Sequence, residues 1–239
     1  MKAMILAAGQ GRRLAPLTDD TPKPLLPIAG EPLLVRQVRQ LRAAGVTDLV
    51  INLYHLGEQI EAVLGNGHEL GVDIRYSRES TLLDTGGGIV KALPLLGNEP
   101  FMLLNGDILT DFEFATLPQR LDPTSLAHLV LTAKPANRDV GDFAFADGRV
   151  IRRGGDWVYC GIALLHADLF VGARAGPFSL RELYFKALAT GQLSAQIHHG
   201  LWTDIGTLDE YAAVRDVGSS QAHPRRSKLD MDTNMCPAR

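Results

Sequence analysis

The chain has 239 residues, of which 46% are hydrophobic and 21% charged, and its formal net charge at pH 7 is −3. This length and apolar content suffice for one large domain with a buried core. The acidic balance argues against a nucleic-acid-binding protein, and no apolar run approaches the roughly 20 residues of a membrane-spanning helix. Cys160 and Cys236 lie far apart without metal-ligand spacing, which predicts a cytoplasmic protein.

Short apolar strands alternate with helices in the first half of the chain. We predict strands at 3–6, 49–53, 72–76 and 101–104, and helices at 31–44, 57–64 and 86–93. Nearly continuous apolar strands are typical of a sheet covered on both faces. The succession therefore predicts an α/β fold with a Rossmann-like, doubly wound and mostly parallel sheet.

The second half of the chain is richer in strands. We predict strands at 127–133, 142–145, 149–151, 157–165 and 193–198, with a helix at 178–190. These strands are expected to extend the same sheet, making it mixed, and to form the second side of a cleft. One domain is therefore expected over residues 1–216. Residues 217–239 lack a hydrophobic pattern and are predicted to form a disordered tail.

A glycine-rich turn follows the first predicted strand. It contains Gly9 and Gly11, then Arg13, and a little further on Lys23 lies between two prolines. Glycine lets backbone amides approach a ligand closely, while arginine and lysine supply the positive charge that a polyphosphate requires. The flanking prolines stiffen the segment that carries Lys23. The pattern predicts a site for a nucleoside triphosphate.

Two other glycine-rich motifs are excluded. A dinucleotide-binding fingerprint needs a third glycine where this chain has Leu14, which argues against a Rossmann oxidoreductase. A P-loop needs lysine and then serine or threonine after its last glycine, but Gly11 is followed by Arg12.

Two aspartates are candidate metal ligands. Asp107 follows the predicted strand at 101–104, and ligands of open α/β sheets lie beyond the carboxyl ends of strands. Asp204 lies just before a last predicted helix that Gly206 and Thr207 open. A turn at Asp107 and a helix cap at Asp204 or Thr207 are the alternatives. Two carboxylates together with substrate phosphates suit Mg²⁺.

The segment MILAAGQGRRLAPLT, followed by PKPLLP, resembles the signature of the sugar-1-phosphate nucleotidyltransferases. The resemblance implies a fold of the nucleotide-diphospho-sugar transferase type, with a nucleotide-binding half to about residue 125 and a sugar-binding half over 126–216. It also implies Mg²⁺ as cofactor and a nucleoside triphosphate and a sugar 1-phosphate as partners.

The resemblance also assigns roles to individual residues. The implied catalytic residues are Arg13, Lys23 and Asp107, and the implied metal ligands are Asp107 and Asp204. The implied nucleotide-binding residues are Leu6, Ala7, Ala8, Gly9, Gly11, Arg13, Lys23, Glu79, Leu82, Gly87 and Asn105. The implied sugar-binding residues are Asn105, Gly141, Gly161 and Asp204.

The chain departs from the family pattern in two places. Asp84 stands where most members have glycine in the loop that binds the base. The Glu-Lys-Pro lysine that grips the sugar phosphate is missing, and either Arg152 or Arg153 replaces it or both are solvated. Cys160 lacks a histidine base, so a buried packing residue is favoured over a nucleophile.

Within the family, the chain resembles short bacterial members that use UTP and N-acetylmuramic acid α-1-phosphate in cell-wall recycling. A mannose-1-phosphate guanylyltransferase is the alternative, and a non-catalytic nucleotide-sugar sensor is a remote one. A sensor is disfavoured because Lys23, Asp107 and Asp204 are all present. We expect a monomer or a small homo-oligomer, without nucleic-acid or membrane partners.

Overall fold

The structure, a computed structural model, describes residues 1–136 and 138–216, so the predicted tail at 217–239 lies outside the described residues. The strands are β1 (Lys2–Leu6), β2 (Pro27–Ile28), β3 (Glu31–Pro32), β4 (Asp48–Leu53), β5 (Asp73–Arg78), β6 (Phe101–Asn105), β7 (Ile108–Thr110), β8 (Ala127–Ala133), β9 (Phe143–Ala146), β10 (Arg149–Arg153), β11 (Trp157–Leu165), β12 (Leu193–Ile197) and β13 (Trp202–Asp204). The α-helices are α1 (Leu33–Ala43), α2 (Gly57–Leu64), α3 (Asp84–Leu96), α4 (Leu180–Ala189) and α5 (Leu208–Val214).

Nine strands form one sheet in the order β5-β4-β1-β6-β11-β8-β12-β10-β9, and β11 also pairs with β9. The first four strands are parallel. Strand β11 then runs antiparallel to both β6 and β8, so the sheet becomes mixed where the second half joins it. The predicted α/β fold with a mixed sheet is confirmed. No helix in the described ranges is long and apolar enough to cross a membrane.

Both faces of the sheet are covered, which explains the continuous apolar strands. Ile5 of β1 packs on one face with Val38 of α1 and Ile60 of α2. Its neighbour Met4 points to the other face and packs with Ile89 of α3 and other side chains from α4. Because successive residues of a strand alternate between faces, each strand contributes to two cores.

Helix α1 begins two residues later than the predicted helix at 31–44. Glu31 and Pro32 instead pair with Pro27 and Ile28 in a short antiparallel ribbon. The residue before a proline is disfavoured in the α-helical region, so Glu31 cannot join the helix that follows Pro32. The other helices match the predictions within a few residues, and α3 begins earlier, at Asp84.

A second ribbon lies outside the main sheet. Strands β7 and β13 pair antiparallel, with Asp204 opposite Ile108. The backbone N–H of Ile205 also donates to the Asp107 carbonyl at 2.9 Å. The ribbon therefore brings two segments that lie almost 100 residues apart in sequence to the same end of β6.

Strand β11 carries a bulge between Tyr159 and Ala163, where its register against β8 shifts. Gly161 lies in this bulge with φ of +75°. A Cβ at this position would lie 2.8 Å from the side-chain amide nitrogen of Asn105. Glycine is therefore required both by the backbone conformation and by the packing of Asn105.

We predict that Gly161→Ala lowers the free energy of unfolding by more than the roughly 1–2 kcal/mol of a left-handed residue alone. Gly172→Ala is the matched control, because Gly172 has φ of +72° and no atom lies within 4 Å of its would-be Cβ. Urea unfolding of both variants measures the difference. Equal losses in the two variants would show that Asn105 does not constrain Gly161.

Candidate functional site

The turn after β1 is fixed by its own hydrogen bonds. The backbone N–H of Ala7 donates to Asn52 Oδ1 at 2.8 Å, and Thr18 Oγ1 donates to the Gly11 carbonyl at 2.9 Å. Gly11 has φ of +63°, and a Cβ there would lie 2.9 Å from the Thr18 methyl group. Gly9, in contrast, has no atom within 4 Å of its would-be Cβ and faces open space. The turn is rigid at its ends and open at its centre.

Lys23 and Asp107 form an ion pair at the carboxyl end of β6. Lys23 Nζ lies 2.6 Å from Asp107 Oδ2, and the two side chains are 11% and 34% exposed, respectively. Lys23 opens a single turn of 3₁₀-helix after Pro22, which holds its backbone in place. The lysine is therefore held by the protein, while the carboxylate of Asp107 remains accessible.

Asp204 is the second carboxylate at this end of the sheet. Although Asp204 opens onto the cleft, the protein packed around its carboxyl group removes water from it. This desolvation, together with the nearby Asp107 carboxylate, raises the pKa of Asp204. Lys23 and Arg13 act in the opposite direction but do not cancel the effect. Asp107 and Asp204 thus form an incompletely neutralised pair.

Arg13 packs against the segment that follows Asp204. A Cβ on Gly206 would lie 2.7 Å from a guanidinium nitrogen of Arg13, so only glycine leaves room for this side chain. Glu210 accepts the Gly206 N–H at 2.9 Å, and Thr207 caps α5 by accepting the Glu210 N–H. The predicted alternative of a helix cap therefore applies to Thr207, which leaves the Asp204 carboxylate free to face the cleft.

The Asp107–Asp204 pair fits a divalent metal ion. Its donors are carboxylate oxygens, which Mg²⁺ prefers, and the pKa of Asp204 is raised by desolvation and by the Asp107 charge, the second of which a cation would offset. Among the described residues there is no cluster of three or more His, Cys, Asp or Glu side chains that could hold a metal ion. The remaining ligands would have to be water and substrate oxygens, as is usual for Mg²⁺.

Two cavities meet beside this pair. One has a volume of about 410 Å³ and is flanked by the glycine turn and the loop before α3. The other, of about 570 Å³, lies between β9, β10, β11 and α4. Asn105 and Thr85 line both cavities, so the two form a continuous cleft.

The smaller cavity brings together five of the predicted nucleotide-binding residues, with Asp107 beside them. Those five are Leu6, Ala8, Gly9, Leu82 and Asn105. Asp84, the departure from the family pattern, also lines this cavity and has φ of +58°. The other predicted residues do not line this cavity: Ala7, Gly11, Arg13, Lys23, Glu79 and Gly87.

Glu79 is buried, and both of its carboxylate oxygens have partners. Asn52 Nδ2 donates to Oε1 at 2.7 Å, and the Leu83 N–H donates to Oε2 at 2.9 Å. Because Asn52 also accepts from Ala7, Glu79 connects the glycine turn to the loop before α3. Its observed contacts position two loops, a role that its sequence position did not reveal.

The glycine triplet at the start of α3 is filled by protein atoms. A Cβ on Gly86 would lie 2.3 Å from the Phe178 ring, and one on Gly87 would lie 2.3 Å from the Gly176 carbonyl. The N–H groups of both glycines donate to the Phe178 carbonyl, at 2.9 and 3.3 Å. Close packing against the segment at 176–178 therefore accounts for these two glycines.

The larger cavity contains the predicted sugar-binding residues Asn105, Gly141 and Asp204, and Gly161 packs against Asn105. A Cβ on Gly141 would lie 2.5 Å from the Trp157 carbonyl, so glycine is needed where this loop meets β11. Arg153 lines the cavity and Arg152 does not. Sequence reasoning missed two further arginines in the lining, Arg138 and Arg181, because neither belongs to a motif.

Cys160 is fully buried in β11, and burial raises the pKa of its thiol to about 12. The indole N–H of Trp202 donates to its backbone carbonyl at 2.8 Å, which ties β13 to the main sheet. A thiol with so high a pKa is a poor nucleophile, so Cys160 acts as a packing residue as predicted.

We predict that Asp204→Asn raises the thermal midpoint of the metal-free protein at pH 7. A carboxyl whose pKa is raised by folding lowers stability progressively as pH rises above the ordinary aspartate pKa of about 3.9, and the loss is complete above the raised value. The increase in thermal midpoint that Asp204→Asn causes should therefore vanish in strongly acidic buffer, where the aspartate is protonated in both the folded and the unfolded protein. Calorimetry with a chelator present measures it.

Asp209→Asn is the control for this experiment, since Asp209 is an exposed carboxylate at the start of α5. This variant should be neutral or slightly less stable, because it removes a favourable charge from a helix N-terminus. A lower midpoint for Asp204→Asn than for the original protein would contradict the like-charge description of the pair.

Comparison with known proteins identifies the family. The Nucleotidyl transferase family model matches residues 2–147. An N-acetylmuramate alpha-1-phosphate uridylyltransferase of Neisseria meningitidis is 42% identical over 221 residues, covering 87% of this chain and 94% of that protein. A mannose-1-phosphate guanyltransferase of Aspergillus fumigatus is 31% identical, and the match covers 96% of this chain and 67% of that enzyme.

The fold has a solved counterpart in a putative glucose-1-phosphate thymidylyltransferase from Bacillus anthracis. The TM-score is 0.78 at 23% identity, and the match covers 91% of this chain and 96% of that one. This likeness shows the nucleotide-diphospho-sugar transferase type of fold. The family match over most of the chain completes the assignment. The chain belongs to the nucleotidyl transferase family and is a sugar-1-phosphate nucleotidyltransferase.

Proposed function

We propose that this protein transfers a uridylyl group from UTP to N-acetylmuramic acid α-1-phosphate. The products are UDP-N-acetylmuramic acid and pyrophosphate, and the reaction serves cell-wall recycling in the cytoplasm. One observation carries the proposal: two cavities join at Asn105 beside Lys23, Asp107 and Asp204. The 42% identity to the Neisseria uridylyltransferase favours this substrate pair over mannose 1-phosphate and GTP.

The reaction is an in-line displacement at the α-phosphorus of the nucleotide. An oxygen of the sugar 1-phosphate forms the new P–O bond, and the bond to the β-phosphate breaks and releases pyrophosphate. The attacking oxygen is already anionic, so no general base is needed. Because both reactants are polyanions, catalysis consists mainly of positioning and of offsetting charge.

The chain supplies the fixed positive charge for this step. Lys23, held by its ion pair to Asp107, contacts the transferred phosphate on this proposal, and the Arg13 guanidinium beside Gly206 adds positive charge near Asp204. The amides of the turn at Gly9 and Gly11 orient the triphosphate, and the open space at Gly9 lets it approach the backbone. Lys23, Arg13 and Asp107 are accordingly our proposed catalytic residues.

Asp107 and Asp204 are the proposed ligands of Mg²⁺. When bound, the ion offsets phosphate charge and lowers the repulsion between the reactants. The two carboxylates fix the place of that charge at the junction of the cavities. Lys23 holds one oxygen of Asp107 and leaves its other oxygen for coordination.

On this proposal the nucleotide and the sugar 1-phosphate bind in different cavities. The nucleotide occupies the smaller cavity against Leu6, Ala8, Gly9 and Leu82, while Ala7, Glu79 and Gly87 hold the surrounding loops in place. The sugar occupies the larger cavity, against Gly141, Gly161 and Asn105. On this proposal the chain functions as one domain, in the monomer or in a small homo-oligomer.

We predict that Lys23→Ala and Asp107→Asn each lower kcat by about 10²- to 10³-fold, as removal of one preorganised charge does elsewhere. Lys91→Ala is the matched control for the lysine, since Lys91 is exposed on α3. Steady-state pyrophosphate release measures the effect, with circular dichroism as a check on folding. Normal turnover in either variant would remove that residue from the mechanism.

Substrate identity is tested by pyrophosphate release with Mg²⁺ across four nucleoside triphosphates and several sugar 1-phosphates. We expect the largest kcat/KM for UTP with N-acetylmuramic acid α-1-phosphate. A preference for GTP with mannose 1-phosphate would keep the mechanism and overturn the proposed pathway. Nucleotide binding without turnover of any pair would contradict the catalytic proposal and favour a sensor.

A further inference from the structure

Three arginines line the sugar-side cavity from three different elements. Arg138 lies in the loop before β9, Arg153 ends β10, and Arg181 lies in the first turn of α4. Their only acidic neighbours in the lining are Asp142 and Asp204, and Asp204 lies at the opposite, phosphate-binding end. The wall of the cavity away from the reacting phosphates is therefore positive.

The arginines are not neutralised by the carboxylates around them. Arg138 and Arg181 approach the same oxygen of Asp142, at 3.3 and 4.0 Å. The other oxygen of Asp142 accepts the Tyr159 N–H at 3.0 Å. One carboxylate thus faces two guanidinium groups and a backbone amide, which leaves positive charge for a ligand.

Of the three arginines, Arg153 most strongly indicates a binding site for an anion. Among the residues that the structure describes, no carboxylate lies within ion-pair distance of its guanidinium group. The group stacks on the ring of Phe185, with 3.9 Å between its central carbon and the ring centroid. Stacking fixes the plane of a guanidinium and leaves its edge N–H groups free, which suits a planar, two-oxygen acceptor.

The position of Arg153 separates it from the reacting phosphates. Its backbone pairs with Phe143, which in turn pairs with Trp157 at the start of β11. Trp157 lies four residues before Gly161, the residue that packs on Asn105 at the phosphate end, and four residues of regular strand span at most about 13 Å. Two strands, β9 and part of β11, therefore separate the backbone of Arg153 from the phosphate end of the cavity.

We propose that Arg153, with Arg181 and Arg138, forms a subsite for a carboxylate carried by the sugar. This inference rests on the proposed function. N-acetylmuramic acid α-1-phosphate has such a group, because its lactyl ether ends in a carboxylate, whereas N-acetylglucosamine 1-phosphate has the same ring without it. The substrate class is a sugar 1-phosphate that carries a second anion, a carboxylate, and the subsite determines specificity for this group, which does not react.

The test compares Arg153→Gln with the original protein on N-acetylmuramic acid α-1-phosphate and N-acetylglucosamine 1-phosphate, with UTP at saturation. We expect kcat/KM to fall by about 10- to 100-fold for the first sugar, the usual effect of losing a charged hydrogen-bond pair. For N-acetylglucosamine 1-phosphate, kcat/KM should stay nearly unchanged. The ratio of kcat/KM for the first sugar to kcat/KM for the second therefore falls. Arg153→Lys should restore part of the ratio.

Arg152→Gln is the matched control, because Arg152 is the adjacent exposed arginine and is not part of the cavity lining. Its ratio should equal that of the original protein. Arg181→Gln provides a second variant should Arg153→Gln unfold, which thermal denaturation reports, and it should lower the ratio in the same direction.

Two results would overturn the subsite while leaving the proposed function intact. Equal losses on both sugars would mean that Arg153 binds the shared 1-phosphate, and an unchanged ratio in both arginine variants would mean that no carboxylate is recognised there. If the original protein instead prefers a sugar without a carboxylate, the proposed substrate and the subsite are both wrong.

Discussion

The like charge of Asp107 and Asp204 at one end of the sheet is the constraint on which the site depends. Desolvation and the nearby Asp107 carboxylate raise the pKa of Asp204, and the charges of Lys23 and Arg13 offset part of this effect. The ribbon of β7 and β13 fixes the two backbones, and Gly206 leaves space for the Arg13 guanidinium. The Asp107–Asp204 pair therefore lowers the stability of the folded protein. The same pair would attract a cation, and Lys23 and Arg13 beside it would attract a polyphosphate.

Local sequence was enough to predict the parts of the site that depend on one segment. The glycine turn, the proline-flanked Lys23 and the carboxylate after β6 each follow from a few adjacent residues whose backbone behaviour is strongly restricted. The order of apolar strands and helices likewise predicted the α/β class, because both faces of the central strands are covered. Apolar periodicity did not locate every helix boundary. It predicted a helix from residue 31, whereas α1 begins at Leu33, directly after Pro32.

The parts that depend on pairing between distant segments were not predictable in this way. The register that sets Asp204 opposite Ile108 is a property of two strands of three residues each, too short to carry a pattern. Glu79 was expected to bind the nucleotide, and its partners within the protein, Asn52 and the Leu83 amide, are brought to it by β4 and the loop before α3. Arg138 and Arg181 become neighbours only through Asp142.

The packing of Phe178 on Gly86 joins the two halves of the chain that flank the cleft. The Phe178 carbonyl accepts two amides of α3, and Thr85 Oγ1 accepts the Leu180 N–H at 2.8 Å. The halves are therefore not exchangeable modules. A chimera joined near residue 125 would take each face of this contact from a different parent, and any side chain larger than hydrogen at position 86 would meet the phenyl ring. Recombination that changes the sugar must keep the segment at 176–180 with the glycines that receive it.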